Sequence, residues 1–168
     1  MPKLGSFLVC EKIILDQLQK PTLISLFQNI SALVPEGQET PKDMIAAVPW
    51  GIFCEWFFAE DEMPKAFEQV IEVNMPDGSP SPVRGRLLLK EKTAGGQGSR
   101  VYVHLFGMPM SQPGFISVNV WLESGSEKVT DIFSYKIKIE HTKEPPKPDD
   151  GGVDVPAYPS LTQVNPQQ

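Results

Sequence analysis

The chain is poor in the residues that usually carry catalysis and metal binding, with two histidines and two cysteines in 168 residues. His104 and His141 lie far apart, and neither stands at a metal-ligand spacing from a cysteine. A lone histidine on a strand is more often a surface or interface residue than an acid-base group. Cys10 and Cys54 form no CxxC pair and are too few for a disulfide scaffold. Each sits in an apolar strand pattern, so buried reduced thiols are expected, with a single bridge between facing sheets as the alternative. No GxSxG elbow is present. The glycine-rich stretch Gly95-Gly96-Gln97-Gly98-Ser99 lacks the lysine of a phosphate loop and precedes a strand, which predicts a hairpin loop. These absences point away from an enzyme, and no catalytic residue, cofactor or metal ligand is expected.

Positive charge and long apolar runs are also scarce. Fifteen Lys and Arg stand against 21 Asp and Glu, for a formal net charge of -6. Without a basic stripe, neither nucleic acid nor an anionic membrane surface is an expected partner. Phe7-Leu8-Val9-Cys10 is interrupted at once by Glu11-Lys12, too short for a secretory h-region. No stretch approaches the roughly 18 apolar residues of a membrane span. A cytoplasmic protein is the resulting expectation.

Apolar alternation is abundant. Ile116, Val118, Val120 and Leu122 occupy every second position, as do Phe133, Tyr135, Ile137 and Ile139. That period belongs to half-buried strands, whose successive side chains point to opposite faces. The beat recurs about eight times between turn residues, which predicts an all-β, antiparallel β-sandwich of about eight strands. The expected strands are Ser6–Asp16, Thr22–Leu33, Ala47–Ala59, Ala66–Met75, Arg84–Lys92, Arg100–Gly107, Phe115–Ser124 and Lys128–His141. Pro41–Ala47 is the best candidate for a single helical turn. The sandwich domain is assigned to residues 1–143. Residues 144–168 are proline-rich and acidic, and a disordered tail is expected there.

Two constellations exceed what one core requires. The first is aromatic. Trp50, Trp56, Tyr102, Phe106 and Trp121 lie in strands whose two faces are both apolar, and they are the candidate surface for a protein partner or self-association. The second is acidic. If strands simply alternate in direction, Asp16, Glu60, Asp61, Glu62 and Glu123 gather at one loop end, as a calcium site would need.

The opening Leu8-Val-Cys-Glu-Lys-Ile-Ile14, followed by Thr22-Leu-Ile-Ser-Leu-Phe-Gln-Asn-Ile30, resembles a family of small bacterial proteins of unknown function. That family opens with a Val-Cys-Glu-Lys/Arg strand. Met75-Pro76-Asp77-Gly78 and Pro113-Gly114-Phe115 are similar to its later turn motifs. The resemblance runs from about Leu4 to Glu140. It implies an immunoglobulin-like or C2-like sandwich and brings no activity; Cys10 and Glu11 match the opening motif without a catalytic role. The expectation is a non-enzymatic interaction module, with a ligand- or calcium-binding module using the acidic loop end as the alternative.

Overall fold

A computed structural model describes residues 2–18, 20–34, 39–41, 44–59, 67–89 and 98–143. The strands are β1 (Lys3–Leu15), β2 (Pro21–Leu26), β3 (Asn29–Val34), β4 (Ile45–Phe57), β5 (Glu68–Asn74), β6 (Pro80–Leu88), β7 (Gly98–Pro109), β8 (Gly114–Ser124), β9 (Glu127–Lys128) and β10 (Phe133–Lys143). They form two sheets. One has the order β2-β1-β4-β7; the other has the order β3-β10-β8-β5-β6, with β9 paired to β8. All pairings are antiparallel except β3 with β10. The two sheets face each other across one hydrophobic core, so the molecule is a β-sandwich.

The described residues hold ten strands where about eight are expected. The largest difference falls on Thr22–Leu33, which divides between the sheets. Phe27 N donates to Val9 O on β1, and Lys138 N on β10 donates to Gln28 O, so the chain changes sheets between Phe27 and Gln28. Ser25 lies just before this switch in the left-handed region, at φ 53°. The strand expected to start at Arg84 starts at Pro80. Two prolines are tolerated there because β6 is an edge strand, where a missing N–H breaks no ladder. The described residues contain no helix: Met44 N closes a turn on Pro41 O, and Ile45 already pairs with Pro109. The remaining positions of that expected turn, 42 and 43, lie outside the described residues, as do residues 144–168.

Strict parity builds the core. From β4, Trp50, Ile52, Cys54 and Trp56 point inward; from β8, Ile116, Val118, Val120 and Leu122 do; from β10, Ile137 and Ile139 do. The sheets are tied near the β4–β5 connection. Trp56 Nε1 donates to Gln69 Oε1 at 2.7 Å, with both side chains fully buried. Phe58 stacks on Phe67 with ring centroids 5.3 Å apart, and Trp56 meets Phe133 edge-on at 5.9 Å.

Gln69 Nε2 meets at most the weak acceptor Cys54 among the described residues, so removing the indole N–H strands the buried amide oxygen as well. Trp56→Phe is expected to lower stability by about 2–3 kcal/mol in chemical denaturation. Adding Gln69→Leu is expected to recover part of that loss, because an apolar pair removes the stranded polar atoms. A double variant less stable than Trp56→Phe alone would refute the coupling.

Candidate functional site

The five candidate aromatics do not form one surface. Trp50 is 1% exposed and Trp56 is 0% exposed. Both point into the core, and Trp50 Nε1 donates to Gly107 O at 3.0 Å. That corrects their placement on a partner surface. Gly51 and Glu55 share the other parity of β4, which carries the strand's one charge and leaves the even-numbered parity to the large apolar side chains. The bulky even-numbered residues therefore fill the core.

Trp121 is on the outer face of the second sheet, yet only 8% exposed. Its neighbours form a charged lattice over that face. Trp121 Nε1 donates to Glu123 Oε1 at 2.7 Å, and Lys128 Nζ lies 5.0 Å from the ring centroid. Arg86 bridges Glu123 at 2.7 Å and Glu68 at 3.2 Å. The indole bond first, and Arg86 after it, lower the pKa of the Glu123 carboxyl. Trp121 is thus consumed by its own sheet and leaves the candidate surface.

Tyr102 and Phe106 share the outer face of β7, with His104 between them. Their strand sends Val101, Val103 and Leu105 toward the core, so Tyr102, His104 and Phe106 share the opposite face. Phe106 is 75% exposed. Tyr102 stacks on Phe53 at 5.7 Å, and the two extend a small cluster with Leu8, Cys10, Ile13 and Leu23 across the first sheet. Gly51 makes room for it: a Cβ there would lie 2.9 Å from Ile13 Cδ1. Next along the face, Arg100 Nε donates to Glu55 Oε1 at 2.8 Å. That contact raises the already high Arg100 pKa. Sequence reasoning missed Phe53 and Phe57, which share the parity of Gly51 and Glu55. Phe57 remains half exposed beside Gly5 and Gly98.

The acidic set is not gathered. Asp16 caps its own β1–β2 turn, accepting from Leu18 N and Lys20 N at 2.8 Å each. Glu123 is in the other sheet, engaged as described; Glu60, Asp61 and Glu62 lie outside the described residues. Among the described residues no group of three acids, histidines or cysteines is close enough to hold a metal ion.

Two concavities among the described residues bear on the site. One, of about 360 Å³, is lined by Met44, Met75, Pro80, Pro109, Ser111 and Gln112 among others, and the buried Ser111 hydroxyl has no partner. The other, of about 340 Å³, brings Glu11, Lys12, Pro49 and Trp50 beside His104 on the β7 face. No hydrogen bond joins His104 to Glu11 among the described residues. His141 is structural: Nε2 donates to Met110 O at 2.8 Å, while Nδ1 is 3.3 Å from Thr40 Oγ1. No helix among the described residues is long and apolar enough to cross a membrane.

The cysteines are free and buried on opposite faces of the first sheet, Cys54 in the main core and Cys10 in the outer cluster. A bridge between the two facing sheets is therefore not formed. Burial pushes the Cys54 thiol up from 9.0 to about 12, against a smaller lowering by Gln69. The unfolded chain ionises this thiol above its ordinary pKa while the folded chain does not. Stability is therefore fully present below pH 9 and falls as pH rises from 9 toward about 12, by about 1.4 kcal/mol per pH unit. Melting temperature followed from pH 8.5 to 10.5 is expected to fall less steeply in Cys54→Ala than in the parent. Equal slopes would refute the assignment.

No protein-family model matches the chain, and no curated protein matches it. Among solved structures, the chain is similar to the crystal structure of a beta-glucosidase from Listeria innocua in complex with gluconolactone, at 16% identity and a TM-score of 0.32. The match covers 61% of this chain and 15% of the enzyme's, so it spans a small part of that protein.

Proposed function

We propose that the chain is a non-enzymatic protein-interaction module of the cytoplasm, and that it binds through the outer face and open side of β7. The observation that carries this reading is Phe106. It is the most exposed large apolar residue of the described sandwich, at 75%, and stands on a strand that pairs on one side only among the described residues. Tyr102, stacked on Phe53, shares this face on the far side of His104, and the Arg100–Glu55 pair borders Tyr102 in turn. An aromatic centre with a polar margin is the composition of protein interfaces. The acidic net charge and the thiol held neutral at Cys54 are consistent with a role that involves neither phosphate binding nor nucleophilic chemistry.

The reading is tested with a photo-crosslinking benzoylphenylalanine placed in the cell at Phe106 or, as a control, at Lys136 on the outer face of the second sheet. A discrete protein adduct is expected from position 106 and none from 136. Phe106→Ser is expected to abolish binding of the adduct partner while costing less than about 1 kcal/mol of stability, because that side chain is 75% exposed and outside both hydrophobic clusters. Absence of any adduct at 106, or equal adducts at both positions, would overturn the reading.

A further inference from the structure

The four strand edges of the sandwich are unequal. β2 and β3 are six residues each, and β2 begins with Pro21. β6 carries Pro80, Pro82, Arg84 and Arg86, which blunt an edge by removing donors and adding charge. β7 runs twelve residues, and its one full charge, Arg100, is already paired with Glu55. From Gly98 to Phe106 its register with β4 is unbroken; beyond that it shifts, and Gly107 takes a φ of 100°. Among the described residues no strand pairs with the other side of Arg100–Phe106. A long, regular, nearly uncharged edge is a template for another strand.

We propose that the occupant of this edge is β7 of a second copy of the chain, paired antiparallel about a two-fold axis through Val103. This rests on β7 being the interaction surface, and it names the partner. In a two-fold pair the inner and outer faces of both strands must coincide, so odd residues oppose odd and even oppose even. Centring on Val103 sets Val101 against Leu105 of the other copy, extending the aliphatic inner face. On the outer face it sets Tyr102 against His104 and Arg100 against Phe106. The last pairing lays a guanidinium against the most exposed ring, a cation–π contact made twice by symmetry.

The neighbouring registers are poorer. Centring on Tyr102 sets Arg100 against His104 and leaves Phe106 facing Gly98. Centring on His104 sets Tyr102 against Phe106, but it opposes the two His104 side chains and puts Arg100 against Met108, which lies past the Gly107 irregularity and is fully buried in its own core.

Sedimentation velocity on the full chain, from 1 to 300 µM, gives the oligomeric state. Cysteine cross-linking gives the register, because Cys10 and Cys54 are buried and do not compete. A concentration-dependent dimer is expected. Under mild oxidation, Tyr102→Cys mixed with His104→Cys is expected to yield a covalent dimer at least tenfold faster than either variant alone. A faster homodimer of Tyr102→Cys or of His104→Cys would overturn the register in favour of one of its neighbours. A chain still monomeric at 300 µM would overturn self-pairing; an adduct at Phe106 containing a different protein would then leave the interaction-module reading standing. No adduct at all would overturn both.

Discussion

Trp56 and Gln69 face each other from different sheets, sealed from solvent, and share a 2.7 Å hydrogen bond. A buried indole N–H and a buried amide oxygen each cost about 1–3 kcal/mol if unpaired. The bond therefore sets which side of β4 and which side of β5 look inward, and the rest follows by period. Trp50, Ile52 and Cys54 must be inside with Trp56, and Ile71 and Val73 with Gln69. β1 and β7 pair with β4 and inherit its phase, so Tyr102, His104 and Phe106 can only be outside. The exposed aromatic face is thus the complement of the core, fixed by the same parity.

The two outer faces resolve the same problem differently. The second sheet covers Trp121 with its own charges, Glu123, Arg86, Glu68 and Lys128, and finishes with that ring only 8% exposed. Among the described residues the first sheet has one such ion pair, Arg100–Glu55, and it fills the surface beside it with Leu8, Phe53 and Tyr102. Such a face stops being satisfied where its strands stop. At the β2 side the chain folds over into the second sheet through Phe27 and Gln28, which consumes that margin. At the β7 side nothing among the described residues continues the sheet, and Phe106 stands there.

How much of this was legible in the sequence depended on whether a strand shows polar residues on one parity only. β8 and β10 alternate cleanly, and their placement follows from the beat alone. β4 is apolar on both parities, which invited Trp50 and Trp56 to be read as surface. Gly51 and Glu55, together on one parity, held the signal that places them inside. The division of Thr22–Leu33 carried no local signal, because its two halves alternate alike and no proline or glycine interrupts them. Only the long-range ladders to β1 and β10 separate them. The beat of β8 places Trp121 opposite the aliphatic set, but its covering depends on Arg86, Glu68 and Lys128 from other strands, which the sequence of β8 alone does not contain. Asp16 and Glu123 share one end only if strand direction simply alternates, and that fails because consecutive strands sit in different sheets.

An unprotected edge is a hazard unless its pairing is self-limiting. A head-to-tail arrangement would need a second receptive edge on the same molecule, and the sandwich offers poor ones: β2 and β3 are short, and β6 is studded with proline and arginine. A two-fold pairing of β7 with itself uses the same edge on both copies and leaves none behind, so growth ends at two. Gly107 adds a second stop, because its positive φ and the register shift beyond it prevent the ladder from running into Met108 and Pro109. On the proposed pairing, the uneven protection of the four edges is what would separate a closed pair from an open filament, since three blunted edges leave the fourth no partner but its own copy.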